Sequence, residues 1–510
     1  MTNLRPRFLR TFLLLATVLT SIVTPLSFNA QAAQKELRWA ADAKSGAPYM
    51  FVDPKDPKKY QGFELDIITK LAEKMDRKLV FIQNEWDSLV PGLERGDYDI
   101  AANGIEITPE REQQVLFSVP YYSTFELNIS RANDQSMDAG LSTLNSKKVG
   151  TLKSSLAHHI LEKETKAKLV FYEEESTGYT DVENGRIDCF FIDYPIALFY
   201  ALPNPKLKAA GGPVGKMFYG VAISKKHPEL LTEINLGIKQ MIDDGDLEKI
   251  LAKWDLLHPF TIEAMGLKIK PKNEKGEYNK VAAQQEQSTH ISFGERMARY
   301  WSILPILLKG ALTSIQISIV SMFVAITFGL ALALMRLYGN ALVSMTAQGI
   351  VEILRGTPLL IQLYLIFYGL PYVGIHFPPF WAAIIGLGMN YGAYEAENYR
   401  AGIEAVPQTQ LEAAQALALS PYQRFVYVLF PQAYRIILPP MTNDFISLIK
   451  DSSLVSVITM VELTTIYSQL ASTYFDHLGL GILVAMIYFL IGYPFVRLAR
   501  RLEKNLKKKR

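Results

Sequence analysis

The chain is 510 residues long, with 20% charged and 49% hydrophobic side chains, a net charge of +3 and a mean hydropathy of +0.10. That length exceeds what one hydrophobic core serves and calls for two or three domains. The near-neutral balance offers no basic face for nucleic acid, and a single cysteine, Cys189, excludes an internal disulfide. The mean hydropathy averages two unlike halves. Long uncharged apolar runs occur only after about residue 303, so a soluble half precedes a membrane half.

At the N-terminus, Arg5, Arg7 and Arg10 precede an apolar run from Phe12 to Val23 and then "NAQAA". The run is short for a span, and Ala30 and Ala32 form a cleavage-site pattern, so residues 1–32 read as a signal peptide. No cysteine is available there to carry a lipid. The protein is expected to be exported and then held in a bacterial cytoplasmic (inner) membrane by its own later segments. Cys189 lies in "RIDCFFID", an apolar strand pattern that predicts a buried, inert thiol.

From Glu36 onward short apolar strands alternate with helical patterns, the βαβ rhythm of an α/β domain. Four stretches follow in order: "GFELDIITKLAEKM" (Gly62 to Met75), "WDSLVPGLERGDYDIAANG" (Trp86 to Gly104), "ITPER", and "KMFYGVAISKKHPELL" (Lys216 to Leu231). This succession resembles the periplasmic amino-acid-binding proteins over residues 36–258. The resemblance implies a two-lobed α/β domain over 34–260, with lobe one at 36–125 and 214–258 and lobe two at 128–210. Such lobes close on a ligand about a hinge.

A free amino acid asks for a partner to its carboxylate and another to its ammonium once water is expelled. A guanidinium fork matches a carboxylate, and a helix start adds a favourable dipole. Thr108 as N-cap and Pro109 at the first helical position place Arg111 in the first turn of a helix. The family's carboxylate-binding arginine falls on Arg111 and its amine-binding aspartate on Asp193 of "FFIDYPIA". Ser155 of "GTLKSSLAHH" matches a helix-start hydroxyl, Trp86 an aromatic wall, and the Gly104 carbonyl a second amine acceptor. An arginine, aspartate or tryptophan alone at such places is ordinarily a solvated or core residue. The surrounding match singles these out.

Two departures bear on the ligand. Glu106 stands where many relatives carry threonine or serine, and Gly46 of "SGAPYMF" stands where many carry an aromatic lid. Two acids, Glu106 and Asp193, against one arginine favour an extra cationic group on the ligand, unless Glu106 simply neutralises Arg111 or Lys153. The missing lid opens one side of the pocket or lets Tyr49 fill it. The expected ligand is a polar amino acid, basic ones included, or an amino-acid derivative.

Residues 261–302, with "KIKPKNEKGEYNKVAAQQEQSTH" at their centre, are polar and aperiodic and read as a tether. About 30 such residues reach at most roughly 100 Å, which keeps the binding domain near its own pore. Residues 303–510 then hold five apolar segments: Gly310 to Met335, about 342–370, about 380–400, a weaker one at about 440–472, and Leu478 to Val496. Positive charge gathers in the loop after the third segment (Arg400, Arg424, Arg435) and in the tail "RLARRLEKNLKKKR", while "PYVGIHFPP" and "SQLASTYFDHLG" have no Lys or Arg. The asymmetry puts the tail in the cytoplasm and the binding domain outside.

Within this half, "EILRGTPLLIQ" (Glu352 to Gln362), "LEAAQALALSPYQRFVYVLFPQA" (Leu411 to Ala433) and "LIKDSSLVSVI" together resemble the polar amino-acid permeases of ABC importers. The second stretch is similar to that family's EAA loop, here about 404–434, a cytoplasmic helix that docks on an ATPase. Glu412, Ala413 and Ala414 open a strongly helix-forming run, and Pro431 breaks the chain before the next span. Ala418 departs from the family's usual glycine. Alone, "EAA" is an ordinary alanine-rich helix.

No phosphate-cradling G-x-x-x-x-G-K-[ST] occurs, so ATP is expected to act through a partner ABC ATPase subunit and no cofactor or metal is expected on this chain. The resemblance further implies an α/β binding domain followed by an all-α transmembrane domain, working as a homodimer or beside a second permease, with a free amino acid and membrane lipid as its other partners. No catalytic residue is expected. The rival readings are an amino-acid-gated channel or receptor, or an exported enzyme on the same soluble fold. The order of segments disfavours the channel, because the whole binding domain precedes the spans.

Overall fold

In the computed structural model, residues 35–44, 46–136, 140–153, 155–172, 174–267, 292–474 and 476–508 are described. The expected signal peptide and the centre of the expected tether, 268–291, lie outside the described residues. The strands are β1 (Glu36–Ala41), β2 (Phe51–Val52), β3 (Tyr60–Gln61), β4 (Lys78–Gln83), β5 (Ile100–Ala101) and β6 (Leu116–Phe117). They continue with β7 (Tyr122–Arg131), β8 (Lys148–Leu152), β9 (Lys168–Tyr172), β10 (Cys189–Asp193), β11 (Leu207–Tyr219) and β12 (Ala222–Ile223).

The first sheet has the order β4-β1-β5-β12-β6, and the second β11-β7-β10-β8-β9. β1 runs parallel to β4 and β5, and β8 parallel to β9 and β10, because a helix returns the chain between each pair. Helices cover both faces, so these strands read as apolar runs. All five residues of β10 are buried, and burial pushes the Cys189 thiol up to about 12. The covering helix Phe63–Lys74 buries Phe63, Ile67, Ile68 and Leu71, one stripe of a 3.6-residue period.

β7 and β11 pair antiparallel along their length, from Leu207 opposite Arg131 to Tyr219 opposite Tyr122. Each is continuous with the first sheet, β7 following β6 and β11 leading into β12, so this pair joins the lobes. The expected lobe bounds need correction. Lobe one does not resume at 214, because Val214 still pairs with Glu126 in the second sheet, and that sheet spans Tyr122 to Tyr219.

The second half is helical. Its first helix, Phe293–Tyr338, is 46 residues long and starts on a capping box in which Ser292 Oγ accepts from the Glu295 amide and Glu295 accepts from the Ser292 amide. It therefore begins ten residues before 303, inside the stretch read as tether. The charges on Glu295, Arg296 and Arg299 concealed that start from a search for apolar runs. Helix Pro259–Met265 likewise occupies the other end of the expected tether.

Among the described residues, two helices, Phe293–Tyr338 and the His477–Arg501 stretch, are long and apolar enough to cross a membrane, or up to four if each bent pair counts as one span. The second expected span is not straight. Ala341–Gly356 and Leu359–Val373 meet at 106°, because Pro358 cannot donate to the preceding turn and forces Thr357 into an extended conformation. The weaker candidate is a second bent pair, Pro421–Ile458 with Leu463–Tyr474, at 60°. Helix Pro379–Glu404, at the third expected span, is 26 residues long and carries Glu395, Glu397, Arg400 and Glu404.

Candidate functional site

Five of the six residues singled out as ligand-binding meet around one cavity of about 480 Å³ between the two sheets: Trp86, Gly104, Glu106, Ser155 and Asp193. Asp193 ends β10, where the chain turns into a short helix. The Tyr49 hydroxyl donates to its Oδ2 at 3.1 Å and the Tyr219 hydroxyl donates to the same oxygen. Burial pushes the Asp193 carboxyl up to about 6, with the Glu106 charge adding to the rise and the two tyrosines opposing it. Directly opposite Asp193 in the β7–β10 register stands Glu126, on the same face of the sheet. Glu126 is wholly buried, no donor reaches either of its oxygens, and burial together with the Asp193 and Glu106 charges holds its carboxyl well above the usual range.

Arg111 is the sixth residue, and it does not line the cavity. Thr108 caps its short helix as the sequence predicts, its Oγ1 accepting from the Arg111 amide at 3.3 Å. The guanidinium turns to Glu106 instead. Its Nη1 donates to the Glu106 carbonyl at 3.1 Å and to the Glu106 carboxylate, and its plane lies 5.2 Å from the Trp86 ring centroid. Glu106 and Arg111 thus cancel each other, and the expected surplus of acid does not come from Glu106. It comes from residues that local sequence did not mark. Besides Glu106 and Asp193, four further acidic side chains, Asp42, Glu85, Asp87 and Glu174, line the cavity against two lysines. Lys44 is tied to Glu85; burial opposes its charge, and the Glu85 and Asp42 carboxylates more than offset that. Burial and the Asp42 charge push Glu85 up to about 7.

The remaining assignments resolve locally. Ser155 caps helix Leu156–Glu164, its hydroxyl accepting from the His158 amide at 3.2 Å and donating to the Leu152 carbonyl at 2.8 Å, so it is committed within its own lobe. The Trp86 indole donates to the Asn103 carbonyl at 2.9 Å. The Gly104 amide donates to Glu64 Oε1 at 2.8 Å. Gly46 is not a lost lid. A Cβ there would lie 2.1 Å from the Asp42 carbonyl oxygen and 2.3 Å from that of Met50, so the backbone itself excludes a side chain, and Tyr49 supplies the aromatic wall. The rim also includes Tyr364, Tyr368, Ser456, Val457 and Ser468 of the helical half, a closure no local motif announces.

In the helical half, Glu412, Ala413 and Ala414 lie on helix Gln408–Ala416, and Pro431 is in the first turn of Phe430–Asp451. Between them Ala418 adopts φ 55°, the left-handed conformation that explains why glycine suits this turn. Leu417 and Tyr422 beside it are exposed at 76% and 66%.

Two family models cover most of the chain. Bacterial extracellular solute-binding proteins, family 3, match residues 37–257, and the binding-protein-dependent transport system inner membrane component matches residues 325–508. A probable amino-acid ABC transporter permease of Sinorhizobium fredii is 36% identical over 208 residues, covering 41% of this chain and 90% of the relative. The chain belongs to the amino-acid ABC transporters, as a binding protein and permease in one. The glutamine transport system permease of Escherichia coli K12 is 33% identical over 209 residues, 41% of this transporter and 95% of that protein. A putative ABC transporter arginine-binding protein of the same strain is 30% identical over 244 residues, 46% of this transporter and 97% of the relative. The relatives are permeases and binding proteins rather than enzymes, and ATP enters such systems through a separate ATPase. The transporter is a multi-pass protein of the inner membrane. The channel alternative gains no support from these relatives.

Proposed function

We propose that the cavity between the lobes receives an amino acid or amino-acid derivative bearing a cationic side chain, with its amine on Asp193, and that the helical half imports it. The observation that carries this reading is the charge of the lining: leaving aside Glu106, which Arg111 neutralises, five acids stand against two lysines. Asp42 and Asp193 among them are buried, and a buried carboxylate is costly unless a cation meets it. The relative described as arginine-binding supports the same direction. In this reading residues 34–260 are the binding domain on the outer side, the Glu412 helix and C-terminal tail face the cytoplasm, and Ala418, Leu417 and Tyr422 belong to the surface that meets the ATPase. A homodimer or a second permease completes the pathway.

The test is equilibrium binding to the full chain in lipid nanodiscs. Arginine is expected to bind at least about tenfold tighter than citrulline, which has the same shape without the charge. Equal affinities for the two, or a preference for citrulline, would remove the basis for a cationic ligand.

A further inference from the structure

The cavity has one place built to hold a carboxylate, and the protein has filled it. Arg111 offers its guanidinium from lobe one. Across the cleft the nine-residue helix Leu156–Glu164 presents its first amide from lobe two. A ligand carboxylate entering between the lobes would take these two donors. Instead one Glu106 carboxylate oxygen accepts from Arg111 Nη1, and the other accepts from the Leu156 amide at 3.2 Å. Glu106 is 2% exposed, and its backbone is fixed: it bridges antiparallel to Tyr219, and the next amide, of Ile107, donates to the Phe218 carbonyl at 2.9 Å. A second carboxylate brought here would meet a like charge in a dry site. The Glu106 charge already acts on Asp193 and Glu126, and Glu126 lacks any donor, so further negative charge here has nothing to offset it.

We propose that Glu106 stands in for the ligand's α-carboxylate, so that the site selects cationic ligands whose carboxylate is absent or masked, namely decarboxylated basic amino acids or the amides of basic amino acids. Both keep the amine that Asp193 requires. The inference rests on the cationic reading of this cavity given above and narrows it. Glu106 is then a specificity-determining residue, and its bond to Leu156 also draws the lobes together without help from the ligand's acid.

The experiment compares arginine, argininamide and agmatine on the full chain in nanodiscs at pH 7.5, in the parent and in Glu106→Thr and Glu106→Gln. The parent is expected to bind agmatine, argininamide or both at least about tenfold tighter than arginine. A preference for agmatine identifies the decarboxylated class, and a preference for argininamide the masked class. Glu106→Thr, which vacates the Arg111 and Leu156 donors, should gain at least about tenfold in arginine affinity relative to agmatine. Arginine binding to the parent as tightly as both analogues overturns the inference, and that comparison needs no variant. An unchanged ratio in a folded Glu106→Thr or Glu106→Gln protein overturns it as well. If none of the three cations binds while glutamine does, the cationic reading itself falls, and the inference with it.

Discussion

Asp193 and Glu126 face each other across two strands in a site from which water is largely excluded, and their carboxyls respond to pH in a definite direction. Each has a folded pKa raised by burial, Asp193 to about 6 and Glu126 further. A raised carboxyl supports the fold most fully below its unfolded pKa, and that support is lost as pH rises through the folded value. The ligand-free protein therefore carries a strain on the alkaline side that a bound cation relieves. Glu126→Gln keeps the shape and removes the titration. It is expected to raise the first thermal transition of the full chain by several degrees at pH 8, roughly 1–2 kcal/mol, with the gain shrinking toward pH 5. A scanning-fluorimetry series in which the gain does not depend on pH would show that Glu126 is not the source. If Asp193 meets the ligand ammonium as proposed, Asp193→Asn should weaken binding by about two orders of magnitude. In the parent, affinity for a cationic ligand should fall as pH drops below about 6, when Asp193 takes up its proton.

Among the elements, the turn after helix Gln408–Ala416 is one whose sequence and conformation disagree. Ala418 holds φ 55° and bears the steric cost of a Cβ there. Ala418→Gly should stabilise the turn by about 0.5–1 kcal/mol, less the greater freedom glycine has in the unfolded chain. Slower proteolytic nicking between Leu417 and Tyr422 is the readout, and unchanged or faster nicking would show that the turn is not under strain. Local signals were strong at this scale. Thr108, Ser155 and Pro431 stand at the helix starts that their residue types prefer, because capping involves only a few neighbouring residues. The bend at Pro358 was not read from the sequence, which gave one span over about 342–370 although a proline marks the place. Its size, 106°, follows from how two apolar helices pack once their axis is broken.

For the whole molecule, the binding half rests on its own helical half. Arg95 lies 5.2 Å from the Tyr368 ring centroid, Gln469 Nε2 donates to Gln83 Oε1 at 3.3 Å, and the Tyr474 hydroxyl donates to the Pro54 carbonyl at 3.1 Å. Val52 packs with Ile303, Leu307 and Leu470. The cavity thereby opens against Tyr364 and Tyr368, so a ligand leaving the lobes meets the permease rather than bulk water. Arg95→Ala removes the cation–aromatic contacts with Phe367 and Tyr368, each of about 1 kcal/mol, and should reduce uptake into proteoliposomes carrying the ATPase by about fivefold. Uptake at the parent rate would mean that these contacts play no part in docking.

Sequence alone pointed to a two-lobed α/β domain ahead of apolar helices, and singled out "ITPER", "FFIDYPIA" and the EAA stretch as candidate working segments. Those properties are carried by period, capping and short motifs, which involve residues near one another in the chain. Tertiary structure decided what the motifs do once assembled. Glu106 also reaches the Leu156 amide because that bond forms only when the lobes converge, whereas its pairing with Arg111, five residues away, was already one of the readings open in the sequence. Glu126 joins the site because the β7–β10 register sets it against Asp193. Gly46 has no room for a side chain because two carbonyls close over it. For Glu106 at Leu156 and for Glu126 at Asp193 the deciding partner lies on another element, and the charge at the site is a property of the folded pair rather than of either residue.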